Sequence, residues 1–260
     1  MDLNLANRVA LVAGSSRGIG RAIARAFLSE GARVVVTGRN ADALLETVAA
    51  FENEFGRDSV LGWAGDLSQP QHISRVVEGT CHQWGRIDCL VANVGSGSGK
   101  RDWQFTSEDW YQAFEVNFWT SLRLVDAVLP AMLEARGGSI TLIGSIVGLE
   151  SVDAPLPYSA AKSTLMTYSK SLARRIGEYG IRVNCVAPGN ILFPGGTWEK
   201  KLAQEPDRIR HYIESEVPLQ RFGTPEEIAH VVVFLASEHA AFITGACIVA
   251  DGGQTRSLPV

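Results

Sequence analysis

The sequence predicts an α/β fold in which one doubly wound parallel sheet of about seven strands carries helices on both faces. Seven short apolar runs rich in β-formers alternate with longer segments of helical periodicity along all 260 residues. The runs are continuously apolar, as in strands that helices cover on both faces. This βαβα order requires right-handed crossovers within one sheet. The predicted strands are residues 9–13, 33–37, 60–63, 87–92, 140–143, 182–187 and 248–250.

Helical patterns lie between the predicted strands. Ser68 and Pro70 are typical of a helix start, and Thr-Pro-Glu-Glu at residues 224–227 predicts a capping box with proline at the first helical position. No linker, repeat or low-complexity segment interrupts the pattern, so residues 1–260 are predicted to form one domain. The apolar stripes are Ile23, Phe27 and Leu28; Leu44, Leu45, Val48, Phe51 and Phe55; Ile73, Val76, Val77 and Trp84; and Ile228, Val231, Val232 and Leu235.

The composition argues against several classes of protein. A net charge of -4 and a pI near 5.8 do not provide the basic face that binds nucleic acid. No apolar run reaches the roughly 18 residues of a membrane span, and the first residues do not resemble a secretory signal. We therefore expect a cytoplasmic protein with no membrane or nucleic-acid partner. The four cysteines and five histidines show no metal-ligand spacing, so free thiols and no metal are expected.

A glycine-rich turn follows the first predicted strand and leads directly into a helix. Residues 14–20 read Gly-Ser-Ser-Arg-Gly-Ile-Gly. Glycine lets the backbone approach a pyrophosphate, and a helix N-terminus offers free N–H groups and positive potential. The spacing differs from the commonest dinucleotide fingerprint, and a tight turn without a ligand is the alternative. The strand–turn–helix context favours a Rossmann-type dinucleotide site at Gly14, Ser16, Arg17, Gly18, Ile19 and Gly20.

The end of the second predicted strand indicates which dinucleotide is bound. An Asp or Glu usually reads the ribose there when the cofactor is NAD, but residues 36–40 read Val-Thr-Gly-Arg-Asn. The Arg39 guanidinium suits a 2′-phosphate, and Arg17 can add a second positive charge. An exposed arginine that merely begins a helix is the alternative. The sequence thus favours NADP(H) over NAD(H).

Tyr158 and Lys162 are spaced four residues apart, which places them on one face of a helix. An ammonium beside a phenol favours the phenolate, and so lowers a pKa that is ordinarily near ~10 toward the range of a general acid/base. Ser145 directly follows a buried predicted strand, so its hydroxyl is expected at the strand's C-terminal tip. A helix that carries Tyr and Lys at this spacing by coincidence is the alternative interpretation.

Together with the glycine turn, Ser145, Tyr158 and Lys162 resemble the short-chain dehydrogenase/reductase family, and the similarity extends from about residue 7 to about residue 253. Several other motifs agree with the resemblance. They are Asp66-Leu67, Ala-Asn-Val-Gly at residues 92–95, Asn117, Pro188-Gly189, Ile-Thr-Gly at residues 243–245 and Asp-Gly-Gly at residues 251–253. Ala13, Ala92 and Val94 depart from the usual motifs, but none of them belongs to the catalytic set of Asn117, Ser145, Tyr158 and Lys162 that the resemblance implies.

The resemblance implies an oxidoreductase that transfers hydride between a nicotinamide and a carbonyl or secondary alcohol. Ser145 would bind the substrate oxygen, and Tyr158 would be the general acid/base. Lys162 would hold the nicotinamide ribose and lower the Tyr158 pKa, while Asn117 would hold a water that links Lys162 to solvent. The implied cofactor contacts are Asp66, Leu67, Asn93, Gly95, Tyr158, Lys162, Pro188, Gly189 and Ile191.

Residues 146–156 and an insert at about residues 190–217 are expected to determine substrate specificity. The composition of the insert is compatible with either a mobile lid or a surface helical pair. Asp153 and Asn190 could bind a polar substrate or cap turns.

A 3-oxoacyl-[acyl-carrier-protein] reductase would need a basic docking patch. Arg136 fits such a patch, but Tyr179 stands where a second arginine would help. A reductase or dehydrogenase that acts on a small ketone, sugar or cyclic alcohol is the main alternative to that function. A non-catalytic nucleotide sensor is a further alternative. The resemblance also implies a homodimer or homotetramer, formed through the helices around Asn117 and Tyr158.

Overall fold

The computed structural model describes residues 2–100 and 102–257, and its centre is a seven-stranded, entirely parallel sheet. The strand order is β3-β2-β1-β4-β5-β6-β7. This confirms the predicted fold class. The strands are β1 (Val9–Val12), β2 (Arg33–Gly38), β3 (Val60–Ala64), β4 (Cys89–Ala92), β5 (Gly138–Ile143), β6 (Ile181–Pro188) and β7 (Cys247–Ala250).

Helices cover both faces of the sheet. Their bounds are α1 (Gly18–Ser29), α2 (Ala41–Phe55), α3 (Pro70–Trp84), α4 (Ser107–Phe114), α5 (Thr120–Ala135), α6 (Leu156–Ile176), α7 (Thr197–Gln204), α8 (Pro206–Glu216) and α9 (Pro225–Ala236). Apolar residues of α1, α2 and α9 form one buried cluster, and those of α3, α5 and α6 form the other. Successive residues of each central strand enter opposite clusters, which explains why the strands read as unbroken apolar runs.

The strand order places a switch point between β1 and β4. From β1 the chain proceeds outward through β2 to β3, then crosses back to β4 and proceeds outward in the other direction. The loops that leave β1 and β4 therefore diverge at the carboxyl edge of the sheet and open a crevice there. Ligands of open α/β sheets bind in such a crevice.

The capping box that opens α9 is confirmed. Thr224 Oγ1 accepts the Glu227 N–H at 3.4 Å, and a Glu227 carboxylate oxygen accepts the Thr224 N–H at 2.9 Å. Arg221 adds two hydrogen bonds to the same carboxylate, of 2.9 and 2.6 Å. Together these donors lower the pKa of Glu227 to about 2, so the cap stays ionised throughout the neutral range.

The predicted start of α3 is confirmed: the helix begins at Pro70, with Gln69 as its N-cap. Two other local predictions are wrong. Leu45 is 65% exposed, because α2 packs against the sheet through its neighbour Leu44 and through Phe51. The strands at the two edges, β3 and β7, are only partly buried, since an edge strand has a neighbour on one side alone.

Candidate active site

A cavity of about 610 Å³ lies at the carboxyl edge of the sheet, over the switch point between β1 and β4. The predicted residues that line it are Gly14, Ser16, Arg17, Ile19, Arg39, Asp66, Leu67, Asn93, Gly95, Ser145, Tyr158, Lys162, Pro188, Gly189 and Ile191. The structure thus brings together motifs that are spread from the first strand to the sixth.

Gly18 and Gly20 do not line the cavity, but together with Gly14 they give the turn its shape. Gly14 and Gly18 have positive φ angles, +66° and +55°, which favour glycine. Gly20 needs its bare backbone for another reason: a Cβ there would lie 2.3 Å from the Gly14 carbonyl oxygen and 2.5 Å from Asn93 Nδ2. Gly18 is covered by the ring of Phe193, which would be only 2.6 Å from a Cβ at residue 18.

Polar contacts that the sequence did not reveal hold the glycine turn in place. The buried Ser15 hydroxyl donates to the Val12 carbonyl at 2.6 Å and accepts the Thr37 N–H at 2.9 Å. Thr37 in turn accepts the Gly14 N–H through its Oγ1 at 2.9 Å. Asn93 Nδ2 donates to the Gly14 carbonyl at 3.1 Å. These bonds connect the turn to the ends of β2 and β4, so its backbone is rigid before any ligand binds.

The first turn of α1 has no side-chain cap, a geometry that is suitable for binding an anion. Its N-cap, Arg17, makes no side-chain cap hydrogen bond, and the first N–H groups of a helix have no partner within the helix. Arg17 instead donates to the Gly195 carbonyl at 3.2 Å, which ties the turn to the insert. Arg39 is exposed beside the cavity at the end of β2. Among the described residues that line the cavity, the cations are Arg17, Arg39 and Lys162, and Asp66 is the single carboxylate.

The catalytic candidates lie at the inner end of this cavity. Ser145 follows β5 by two residues, and Tyr158 lies in the first turn of α6, with Lys162 one turn farther on. Ser145 and Tyr158 are hydrogen-bonded through their side chains. Lys162 is 3% exposed, and its Nζ donates to the Ile143 carbonyl at 2.7 Å. An ammonium has three donors, so the Ile143 contact leaves two others.

The pKa values of the pair differ from the sequence expectation. Burial raises the pKa of the Tyr158 phenol, and the hydrogen bond with Ser145 offsets only part of that rise. The expected lowering by Lys162 is not found, because the ammonium is directed at the Ile143 carbonyl and is itself buried. Burial lowers the pKa of Lys162 to about 8. The pair therefore consists of a protonated phenol and an ammonium that titrates just above neutrality.

Asn117 lies beside this pair in a π-helical turn, Glu115–Trp119, between α4 and α5. Its Nδ2 donates to the Ser96 and Ala113 carbonyls, and its Oδ1 accepts the Ser96 N–H at 2.9 Å. A Cβ on Gly95 would lie 3.0 Å from both Asn117 Oδ1 and Lys162 Nζ, so the two groups flank this glycine. A carbonyl oxygen has two lone pairs, and Ser96 uses one of those on Oδ1. Single-turn π segments are frequent at functional sites.

A second cavity, of about 660 Å³, adjoins the first. Both cavities are lined by Ser145 and Tyr158, and also by Gly97, Gly189 and Thr197. The remaining walls come from the loop after β5, with Val152, Asp153 and Pro155, from the insert, and from Gln254. The insert is the helical pair α7 and α8, in which Trp198 and Tyr212 stack with ring centroids 5.5 Å apart.

Arg136 and Tyr179, the two positions considered for carrier-protein docking, lie elsewhere. Arg136 ends α5 just before β5, and Tyr179 precedes β6 by two residues. Both are exposed at the amino edge of the sheet, opposite the cavities of the same chain.

Within residues 2–100 and 102–257, no cluster of His, Cys, Asp and Glu could hold a metal ion. No helix in the same ranges is long and apolar enough to cross a membrane. Cys185 and Cys247 are register neighbours on β6 and β7, and the four cysteines are free thiols.

Comparison with known proteins gives matches along nearly the whole chain. A family model described as Enoyl-(Acyl carrier protein) reductase matches residues 13–255. The chain is 36% identical to the 3-oxoacyl-[acyl-carrier-protein] reductase of Escherichia coli (strain K12), with 97% of this chain and 99% of that protein covered.

Solved structures of other oxidoreductases also match nearly the whole chain. The L-sorbose reductase of Gluconobacter frateurii, complexed with NADPH and L-sorbose, matches with a TM-score of 0.92 and 34% identity over 99% of this chain and all of the other. A 7α-hydroxysteroid dehydrogenase complexed with NADH and 7-oxo glycochenodeoxycholic acid matches with a TM-score of 0.90 and 29% identity, over 99% of this chain and 98% of the other.

Proposed function

The chain belongs to the short-chain dehydrogenase/reductase family of oxidoreductases, and on that premise we propose that it is an NADP(H)-dependent enzyme acting on a carbonyl or secondary alcohol, with Tyr158 as general acid/base. One observation carries the proposal: Ser145 and Tyr158 line both cavities. A proton donor at such a junction reaches a substrate in one cavity while the cofactor occupies the other.

The residues of the first cavity fit a dinucleotide. The uncapped first turn of α1 suits a pyrophosphate, and Gly14 and Gly20 keep the adjoining backbone free of side chains. Asp66 and Leu67 would contact the adenine end, and Asn93, Gly95, Pro188, Gly189 and Ile191 the nicotinamide end. When bound, the nicotinamide supplies or accepts a hydride; orientation and proton transfer are left to the protein.

Each catalytic side chain has a task that suits its environment. Because its pKa is raised, the Tyr158 phenol is protonated at neutral pH and can donate to the substrate oxygen during reduction. The Ser145 hydroxyl holds that oxygen and the phenol together. Lys162 would bind the ribose hydroxyls through the donors that Ile143 does not use. Asn117 Oδ1, beside Lys162 at Gly95, would hold the water that returns a proton from solvent.

Cofactor preference rests on Arg39. We expect Arg39→Ala to raise the KM for NADPH by about 10- to 100-fold, the magnitude of a lost charge-assisted hydrogen bond. The KM for NADH should change little, because NADH has no 2′-phosphate. Steady-state rates with both cofactors measure this, and Arg75→Ala, an exposed arginine on α3 outside the cavity lining, is the control. Equal effects on the two cofactors would overturn the assignment.

A 3-oxoacyl-[acyl-carrier-protein] reductase is the second candidate function, favoured by 36% identity to a relative of that name. The arrangement of the docking residues gives it less support. Tyr179 has no charge, and both it and Arg136 lie at the sheet edge away from the cavities of their own chain. NADPH consumption with acetoacetyl thioesters, cyclic ketones, diketones and keto-sugars tests the general proposal and separates the two candidates.

We also propose that the protein self-associates through the surface formed by α4, α5 and α6. Aromatic side chains on or beside these helices are exposed, notably Trp110, Tyr111 and Trp119. Trp110 contacts the ring of Phe114, which contacts the buried Phe118, and Trp119 also contacts Phe118. Aromatic residues are enriched at interfaces between subunits. A solution mass of 28.1 kDa by light scattering would contradict self-association, and a multiple of it would support it.

A further inference from the structure

Two buried carboxamides lie in the wall of the second cavity. Asn190, which directly follows Gly189, is 8% exposed, and Gln254 near the end of the chain is 7% exposed. Ser145 and Tyr158 line the same cavity. The amides therefore border the space in which a substrate would meet the general acid.

These amides are connected in a series that holds the insert. Asn190 Nδ2 donates to Gln254 Oε1 at 2.8 Å, and Gln254 Nε2 donates to the Tyr212 hydroxyl at 2.8 Å. The series thus links the end of β6, the C-terminal segment and α8. Tyr212 in turn stacks on Trp198 of α7. Both amides are in this way held in place by groups that are distant in the sequence.

The series leaves hydrogen-bonding capacity on two residues that line the cavity. Within the described ranges, Asn190 Oδ1 accepts no hydrogen bond, and each amide nitrogen uses only one of its two N–H groups. A buried polar group without a partner is costly, and buried amides in proteins are almost always satisfied. Asn190 and Gln254 can therefore pair with a ligand group that both accepts and donates hydrogen bonds.

The chemistry of the cavity identifies that group. A hydroxyl both donates and accepts, so it suits either atom of a neutral amide. A carboxylate or phosphate would call for a cluster of cations, whereas the charges at the cavity rim are of both signs. Arg208 pairs there with Glu205 at 2.6 Å, and Asp153 lies nearby. An alkyl chain at this place would leave Asn190 unpaired.

We propose that Asn190, positioned by Gln254, recognises a substrate hydroxyl close to the reacting carbonyl, so that the enzyme prefers hydroxylated ketones of the ketose type over alkyl ketones and simple acyl chains. The inference rests on the proposed function, since the cavity must first be a substrate site. It assigns Asn190 as a specificity-determining residue and Gln254 as a positioning residue.

The test compares 2-hydroxycyclohexanone with 2-methylcyclohexanone, which replaces the hydroxyl with a methyl group of similar size. With NADPH, the wild-type kcat/KM should favour the hydroxy-ketone by about 10-fold or more, because the methyl analogue leaves a buried amide unpaired. Asn190→Leu, which keeps the branched shape of the side chain but removes its polar atoms, should abolish this ratio mainly by lowering kcat/KM for the hydroxy-ketone. Gln254→Leu should reduce the ratio in part and act through the KM.

Controls separate a specific effect from a folding defect. Gln83→Leu, at an exposed position on α3 remote from both cavities, should leave the ratio unchanged. Asn190→Ala serves if the leucine variant does not fold. In every variant, thermal melting and NADPH fluorescence titration should match the wild type, since these residues do not line the cofactor cavity.

The outcomes are distinguishable. A wild-type enzyme that reduces both ketones equally, or an Asn190→Leu variant that keeps the wild-type ratio, overturns this inference and leaves the proposed oxidoreductase function intact. If the wild type oxidises no NADPH with any carbonyl of the panel, the proposed function fails and the inference fails with it. A ratio that is present in the wild type and lost in Asn190→Leu supports both.

Discussion

The Tyr158→Phe variant is expected to fold and to bind NADPH, yet to reduce carbonyl substrates about 10²- to 10⁴-fold more slowly, the usual contribution of a positioned general acid. The substitution removes one hydroxyl and keeps the ring, so the packing of α6 against the loop at Gly97 is unaltered. What is lost is the proton donor and its hydrogen bond with Ser145. The measurement is kcat from NADPH consumption with a substrate that the wild type accepts.

Tyr168→Phe is the matched control. Tyr168 lies on the same helix, and its ring packs edge-to-face on Phe118 with centroids 5.9 Å apart, but it lines neither cavity. It should keep activity within a few-fold of the wild type. Near-normal turnover by Tyr158→Phe would remove Tyr158 from the mechanism and leave the proposed chemistry without a proton donor.

The pH profile gives this experiment a second readout. Burial lowers the pKa of Lys162 to about 8, so the ammonium is present below that pH and is lost as the pH rises through it. The wild-type rate of carbonyl reduction should therefore be flat at lower pH and decline above about 8. Tyr158→Phe should lack this decline in its residual rate, because the proposed relay from solvent past Lys162 then has no phenol to reprotonate.

The second large effect is expected from Gly20→Ala. The added methyl would lie 2.3 Å from the Gly14 carbonyl oxygen and 2.5 Å from Asn93 Nδ2. The carbonyl belongs to a turn that Thr37 and Ser15 hold rigidly, so it cannot move without breaking their hydrogen bonds. Overpacking of this kind costs about 1–3 kcal/mol, or roughly 2–12 °C in Tm for a chain of this size. The affinity for NADPH should fall by at least about tenfold, because the displaced turn no longer presents its N–H groups to a pyrophosphate.

Gly177→Ala serves as the comparison for this variant. Gly177 has a helical φ of −60°, and a Cβ there would meet nothing within 4 Å. An alanine at such a position is neutral or slightly stabilising, because it restricts the unfolded chain. Thermal melting and NADPH fluorescence titration of both variants measure the difference. Wild-type affinity in Gly20→Ala would show that the turn does not bind the cofactor.

The elements that the sequence predicted well are those whose cause is local. The capping box at Thr224 and Glu227 follows from residues three apart, and the glycine turn from the steric freedom of Gly14 and Gly18. The four-residue spacing that places Tyr158 and Lys162 on one face of α6 is equally local. The strands were recognisable because burial on both faces demands unbroken apolar runs.

Local patterns were insufficient where the environment of a side chain decides its behaviour. The spacing of Tyr158 and Lys162 suggested a lowered phenol pKa, whereas burial raises it, and Lys162 is directed at the Ile143 carbonyl. Leu45 follows the apolar pattern of α2 and yet faces solvent. Desolvation and exposure depend on which other segments cover a residue, and no spacing within one helix contains that information.

By itself, the sequence determined the α/β class, the order of the strands and helices along the chain, the glycine turn and the set of catalytic candidates. Only the tertiary structure decided that Ser145 and Tyr158 line two cavities, that Phe193 covers Gly18, and that Asn190 meets Gln254, 64 residues away. The reason is physical. Periodicity, capping and backbone sterics act over a few residues, whereas cavities and buried hydrogen bonds arise from distant segments that the sheet brings to one edge.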